Sequence, residues 1–283
     1  MAGRQLRSRL VKRAMFEVPV WSDELKVYNT CIVDSFLATL LCAQWTDGRF
    51  SSLLVGTDAF TKTCKKFLDD EGNVEARKMD FIKAHYAKNG DGEFNLEGDE
   101  IAMILDKAKK AIEYSLSTRC QTCGKEAKSR KNYLYVSSDC EKRLPSAMLH
   151  AALTRMGKSH RCPSTCEKSN HFMELEVDDT TWMLPIDLSP IRPKASLIGD
   201  LPVMFEVGDV SFRLTGISLF ADAHYTAVLR DGKDWLYYNG IAEPPLKVYT
   251  DIKKLKVDPS TNIKVAYYLR VRPNDEPSDI DAQ

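Results

Sequence analysis

The sequence lacks the features that mark membrane, exported and nucleic-acid-binding proteins. No apolar run approaches the roughly 18 residues of a membrane helix, and the first residues lack the apolar core of a signal peptide. The 40 Lys and Arg residues balance 40 Asp and Glu residues, which removes any broad electrostatic case for binding nucleic acid or an anionic membrane. We therefore expect a monomeric intracellular protein of the cytoplasm or nucleus, with neither a membrane nor a nucleic acid as partner.

Hydrophobic spacing divides the chain into a helical part and a later strand-rich part. Apolar residues recur at helical spacing over about 31–43, 60–88 and 99–116. Short alternating runs at 172–177, 211–214, 225–229 and 263–271 predict strands. This order, with a cysteine-rich insert between the two parts, predicts an α+β fold. We expect the Pro-containing acidic tail over 273–283 to be disordered. Within the basic N-terminal segment over 1–20, the charges from Arg4 to Arg13 favour a solvated helix face over a nuclear address.

Two segments carry the residue types of a cysteine protease. One reads Asn-Thr-Cys-Ile-Val-Asp-Ser-Phe-Leu and places Cys31 at the start of an apolar helix; the other opens a strand with His224 and closes the next with Asn239. A helix N-terminus favours a thiolate, an imidazole can accept its proton, and an Asn can hold the imidazole by its other nitrogen. Alone, Cys31 would be read as a core residue and His224 as a strand residue. Together and in this order they predict a Cys-His-Asn triad for acyl transfer through a thioester.

Two close cysteine pairs in the insert predict a structural metal site. Cys120 and Cys123 have two residues between them, and Cys162 and Cys166 have three. In a reducing compartment such pairs bind zinc more often than they form disulfides, and one zinc ion would clamp a ribbon with little core of its own. The competing ligands are His160 and Cys140, with His171 a weaker one. The alternative is a ribbon without metal.

The two protease segments resemble those of the ubiquitin-specific proteases, a family of deubiquitinating enzymes. The family's cysteine box reads N-T-C-Y-x-N-S-x-L, and its histidine box reads G-H-Y-T-A, then a hairpin, then W-Y-x-F-N/D. Residues 29–37 and 223–239 resemble these boxes, and 266–271 resembles the A-Y-x-L-x-Y pattern of the family's last strand. The resemblance implies one papain-like catalytic domain over 21–272. Within it we expect a helical thumb over about 21–117, zinc-ribbon fingers over about 118–180 and an antiparallel β palm over about 181–272.

The resemblance also implies a reaction and its residues. Cys31 would be the nucleophile, His224 the base and Asn239 its orienter, in hydrolysis of the isopeptide or peptide bond after the C-terminal glycine of ubiquitin. Residues 98–104 weakly resemble the family's Q-D-A-x-E-F-L helix start, which makes Asp99 a contact for the basic tail of ubiquitin. The alternatives are a protease for another ubiquitin-like modifier such as SUMO, or a catalytically weak pseudo-protease that binds ubiquitin. The implied ligands of the structural zinc in the fingers are Cys120, Cys123, Cys162 and Cys166.

Three positions depart from the family pattern. Lys26 stands five residues before the nucleophile, where the family places an oxyanion-hole Asn. We expect its ammonium to reach solvent, which leaves the Cys31 backbone N–H as donor; losing one donor can lower the rate on the order of a hundredfold. Ala223 replaces the Gly beside the channel for the Gly-Gly tail, so its methyl group narrows the channel or changes which modifier fits. Asp34 replaces the third residue after the nucleophile, an Asn in the family box.

Overall fold

A computed structural model describes residues 26–69, 74–120, 122–131, 134–135, 156–157, 171–190, 194–242, 244–255 and 257–272. The basic N-terminal segment, the acidic tail, and the predicted ligands Cys140, His160, Cys162 and Cys166 lie outside these residues. Within the described ranges, no helix has the length and apolar character needed to cross a membrane.

The helix α1 (Cys31–Thr46) begins at the predicted nucleophile and is buried on nearly all sides. Asn29 precedes it with φ of 58°, a left-handed conformation that Asn tolerates better than most residues. The helix ends at Asp47, whose N–H donates to the carbonyl of Ala43 at 2.8 Å. A helix that is apolar all round belongs inside a fold, so α1 forms the centre around which other elements pack.

Two further helices, α2 (Ala59–Asp69) and α3 (Val74–His85), pack beside α1. A ring cluster joins the three helices: the Phe36 ring lies 5.6 Å from Phe60 and 6.3 Å from Phe81, measured between centroids. A short 3-10 helix (Phe50–Leu53) and a parallel pair of two-residue strands, β1 (Val27–Tyr28) and β2 (Phe94–Asn95), complete this part. The predicted helical character of 31–43 and of most of 60–88 is confirmed.

The helix predicted over 99–116 is wrong for most of its length. The chain forms one π-type helical turn (Ile101–Leu105), then further turns, and enters strand β3 at Tyr114. Ile104, Ala108 and Ile112 are buried all the same. Successive turns therefore bury the residues that a continuous helix would bury, and the pairing of β3 with its neighbouring strands stops helical structure from continuing.

The strand-rich part forms a large, mostly antiparallel sheet. Its order is β13-β12-β11-β10-β14-β8-β5, β9 pairs with β10 off this path, and β5 runs parallel to β8. The strand predictions at 211–214, 225–229 and 263–271 are confirmed. The strands of the large sheet are β5 (Leu134–Tyr135), β8 (Met183–Asp187), β9 (Met204–Val207), β10 (Val210–Ala221), β11 (His224–Asp231), β12 (Asp234–Tyr238), β13 (Leu246–Tyr249) and β14 (Asn262–Arg270).

A smaller antiparallel sheet has the order β4-β3-β7-β6. It comprises β3 (Tyr114–Cys120), β4 (Glu126–Lys131), β6 (Met156–Gly157) and β7 (His171–Val177). The strand predicted at 172–177 is confirmed as part of β7.

Helix α1 packs directly on the large sheet, and a glycine permits the close approach. A Cβ atom at Gly216 in β10 would overlap the side chain of Thr39 in α1. Because the helix lies against β10 and β11, its first turn comes close to the start of β11. Cys31 and His224 occupy these two ends.

Candidate active site

The three predicted triad residues come together at the N-terminal end of α1. The His224 ring donates from Nε2 to Oδ1 of Asn239 at 2.9 Å, and the Cys31 side chain lies close enough to be the largest influence on the pKa of the ring. Asn239 is itself held in place, because its N–H donates to the carbonyl of Pro245 at 2.8 Å and its Oδ1 also accepts the N–H of Ile241. With Nε2 engaged by Asn239, Nδ1 is the ring nitrogen left for the thiol. This arrangement suits a nucleophile, a base and an orienter.

A tight hairpin presents His224. Ala221 of β10 pairs with His224 of β11, and the two residues between them, Asp222 and Ala223, have φ of 50° and 58°. Positive φ at both central positions is the geometry of the tight turns that suit the strand twist. Ala223 therefore lies immediately before His224, exposed and in a conformation that glycine adopts at lower cost.

The pKa of His224 is raised, chiefly by interaction with the Cys31 thiol and then by the hydrogen bond with Asn239, against partial burial, which lowers it. The charges of Cys31 and Asp34 act in the same direction as the hydrogen bonds. A raised imidazole pKa favours the imidazolium, which is the partner that a thiolate requires.

The side chain of Lys26 is engaged elsewhere and is not held as an oxyanion donor. Its ammonium pairs with Glu93 at 3.0 Å, and its side chain is 58% exposed. That hydrogen bond, followed by the charge of Glu93, raises the pKa of Lys26. Asn29 donates from Nδ2 to Oδ1 of Asn95 at 2.8 Å, and this bond links the chain just before the nucleophile to the residue after Phe94.

The first turn of α1 carries one partner of a buried ion pair between Asp34 and Lys78. Lys78 of α3 lies 2.5 Å from Oδ1 of Asp34, with side chains 7% and 13% exposed. Thr30 donates its hydroxyl to the other carboxylate oxygen at 2.6 Å and accepts a bond from Lys78 at 3.3 Å. Asp34, which stands where the family box has Asn, is thus paired with Lys78, a partner that the sequence pattern does not reveal.

Asp99 and Glu100 lie beside His224's neighbour Tyr225. Asp99 is exposed, and its Oδ1 accepts the N–H of Ala102 at 2.8 Å. The pKa of Tyr225 is raised first by burial, then by the charge of Glu100, and next by the charge of Asp99. Glu100 is 2% exposed, and its carboxylate accepts hydrogen bonds from the hydroxyls of Ser218 and Tyr267. Asp99 therefore lies close to Tyr225, at the edge of the site.

The first cysteine pair lies on a tight turn at the end of β3. The carbonyl of Cys120 accepts the N–H of Gly124 at 2.8 Å, and its own N–H donates to Lys125 at 2.9 Å. Cys120 is buried and Cys123 is exposed. Two thiols on one such turn fit half of a tetrahedral zinc site. Among the residues that the structure describes, no three metal-ligating side chains come together, and the second pair lies outside them.

Sequence reasoning missed two residues of the neighbourhood, Lys78 and Glu100. Lys78 follows no motif; it is one of many lysines in a charged helix. Glu100 directly follows Asp99, at a position where the family pattern has Ala. That substitution of a carboxylate for Ala was the only feature of the sequence that could have drawn attention to Glu100.

Solved structures contain this fold. The SAGA deubiquitinase module of Ubp8, Sgf11, Sus1 and Sgf73 bound to monoubiquitin is similar at a TM-score of 0.55 and 10% identity, over 88% of this chain and 69% of that chain. The same module bound to ubiquitin aldehyde is similar at 0.54 and 11% identity, over 95% and 75%. The sequence matches no protein-family model and no curated protein. At this identity the likeness is one of architecture: the chain has a mixed helix-and-sheet, deubiquitinase-like fold.

Proposed function

We propose that this protein is a cysteine protease that hydrolyses the isopeptide or peptide bond after the C-terminal glycine of ubiquitin. The observation that carries the proposal is the position of the His224 ring, which is hydrogen-bonded to Asn239 and lies close enough to Cys31, at the N-terminus of a buried helix, for that side chain to dominate its pKa. The deubiquitinase-like fold supports the choice of substrate.

The geometry suits a two-step acyl transfer. Sγ of Cys31 attacks the carbonyl carbon of the terminal glycine, while His224 accepts the thiol proton and returns it to the leaving lysine amine. Water then attacks the thioester with His224 as base, and the carboxylate and free thiol are restored. Asn239 keeps the imidazole in the required orientation throughout.

The oxyanion has a reduced set of donors in this proposal. The backbone N–H of Cys31 lies at the helix N-terminus, where N–H groups lack partners within the helix. Lys26 takes no part, because its ammonium pairs with Glu93. Asp99 contacts the basic tail of the modifier, and the Ala223 methyl group narrows the entrance beside His224.

We further propose that Cys120, Cys123, Cys162 and Cys166 hold a structural zinc ion, with His160 or Cys140 as the competing ligands. The tight turn that carries Cys120 and Cys123 supports this assignment. The ion takes no part in the reaction; it would clamp the turn that carries Cys120 and Cys123 to the second cysteine pair.

The test is covalent capture by electrophilic C-terminal probes of ubiquitin, SUMO and NEDD8. We expect the ubiquitin probe to label the wild-type protein and Cys42→Ala, and to leave Cys31→Ala unlabelled. Cys42 is the matched control because it lies on the same helix, is buried, and has its Sγ 3.3 Å from the carbonyl of Arg230. Labelling retained in Cys31→Ala and lost in Cys42→Ala would contradict the assignment of the nucleophile.

The same probes separate the alternatives. Capture by the SUMO or NEDD8 probe alone would identify a protease for another modifier. No capture, together with measurable binding of unmodified ubiquitin, would identify a non-catalytic ubiquitin-binding protein instead.

A further inference from the structure

Glu100 is a buried carboxyl group with a complete set of partners from the large sheet. It is 2% exposed, and its two oxygens accept hydrogen bonds from Ser218 of β10 and Tyr267 of β14. Ser218 is fixed in turn, because its Oγ accepts the N–H of Val265 at 3.0 Å. A buried carboxyl group is costly unless hydrogen bonds satisfy it, so this arrangement is a specific link between a loop and two strands.

The backbone beside that link belongs to the edge of the candidate active site. Glu100 is the N-cap of the turn Ile101–Leu105, and Asp99 accepts the N–H of Ala102 within the same turn. After burial, the charges of Glu100 and Asp99 are the main causes that raise the pKa of Tyr225, the residue after His224, so this turn lies close to the Tyr225 phenol.

We propose that Glu100 is a positioning residue, which anchors the Asp99 turn to the large sheet beside Tyr225 and thereby shapes the place where the substrate tail is bound. The inference rests on the proposed function for the role of Asp99, and on the hydrogen bonds of Glu100 for the anchor itself. Glu100 acts through its neighbours and does not touch the reacting atoms.

The charges around Glu100 determine which substitution preserves the anchor. The pKa of Glu100 is raised to about 7, chiefly by burial; the charge of Asp187 acts in the same direction, while the hydrogen bonds from Ser218 and Tyr267 and the charge of Lys264 act against it. Tyr225 also faces the carboxyl group. Near neutral pH both protonation states are therefore populated. Ser218 can accept from the protonated acid because a second acceptor, the carbonyl of Val265, lies 3.4 Å from its Oγ. Glutamine resembles this protonated form, so Glu100→Gln is the conservative variant.

The kinetic test compares Glu100→Ala with Glu100→Gln on a fluorogenic ubiquitin substrate. For Glu100→Ala we expect KM to rise about fivefold or more while kcat changes less than about threefold, because binding is disturbed and the chemistry is not. Glu100→Gln should restore KM to within about threefold of the wild-type value. Glu206→Gln, the same change on an exposed strand residue, is the control and should leave both constants unchanged. A fall in kcat at unchanged KM, or Gln no better than Ala, would overturn the proposal.

Hydrogen exchange reads the anchor without any substrate. We expect Glu100→Ala to speed amide exchange over 99–105 and 224–226 and to leave 234–238 unchanged, because only the first two segments contact the anchor. Unchanged exchange in the first two segments, or a uniform rise in all three, would refute the positioning role. If Glu100→Ala does not fold, Tyr267→Phe and Ser218→Ala each remove one hydroxyl and should give the same pattern at smaller amplitude. A wild-type protein that turns over no modifier would refute the proposed function, while the exchange result still decides the anchor.

Discussion

The buried pair of Lys78 and Asp34 makes a sharp prediction about the stability of the first turn of α1. Lys78→Met removes the ammonium 2.5 Å from a carboxylate that is 13% exposed. Removing one partner of a buried pair costs about 3–5 kcal/mol, because the remaining charge stays desolvated. Here the bond from Thr30 and the helix N-terminus still favour the Asp34 charge, and each returns about 0.5–1 kcal/mol. We expect Lys78→Met to lower the free energy of unfolding by about 2–3 kcal/mol.

A double-mutant cycle in urea measures this coupling. Replacing both charges, in Lys78→Met with Asp34→Asn, should cost about 1 kcal/mol or less, which is smaller than either single change and corresponds to a coupling of at least about 2 kcal/mol. Lys66→Met is the matched control, since Lys66 pairs with Asp80 at 2.7 Å but both side chains are more than half exposed, at 67% and 52%. Its cost should stay below about 0.5 kcal/mol. Equal costs for Lys78→Met and Lys66→Met, or strict additivity in the cycle, would refute the reasoning.

The charge of Asp34 also affects the pKa of His224. Interaction with the Cys31 thiol is the main cause that raises the pKa of His224, and the Asp34 charge adds to it. Asp34→Asn should therefore lower the imidazole pKa, and an NMR titration of the His224 ring reads this directly. A pKa that rises in Asp34→Asn would show that the carboxylate acts on His224 through something other than its charge.

Four further outcomes are expected. Ala223→Gly should raise the free energy of unfolding by about 0.5–1 kcal/mol because it relieves a positive φ of 58°, whereas Ala221→Gly, in the strand, should lower it; a loss in Ala223→Gly would contradict the turn. Lys26→Ala should change kcat by less than about tenfold, and a loss of several hundredfold at unchanged KM would make Lys26 an oxyanion donor. Burial raises the pKa of Glu100 from 4.5 to about 7, so the folded state binds more protons between these values and stability should fall as pH rises through them, by up to about 3 kcal/mol; a wild-type urea series that parallels Glu100→Gln would disprove it. Metal analysis of protein purified without added zinc should find about one equivalent, and chelation should lower Tm; no metal, with Cys123→Ser unchanged in Tm, would remove the zinc assignment.

Much of the secondary structure could be predicted from local pattern. The apolar run from Cys31 onward became a buried helix, and the alternating runs became strands of the two sheets. The stretch over 99–116 failed because spacing of apolar residues reports which side chains are buried, and a series of turns buries Ile104, Ala108 and Ile112 as a helix would. The choice between the two backbones depended on the pairing of β3 with β4 and β7, which no local window contains.

By itself, the sequence determined the order of helices and strands and nominated Cys31, His224 and Asn239, because helix starts, hairpins and reactive residue types are encoded within a few neighbouring positions. Only the tertiary structure decided the partners of the charged groups. Glu100 finds its hydroxyls 118 and 167 residues away along the chain, and Asp34 finds its ammonium on a different helix. Such pairings depend on how whole elements pack. The donor that satisfies a buried charge is supplied by a neighbouring element, and only the tertiary structure brings it within hydrogen-bonding distance.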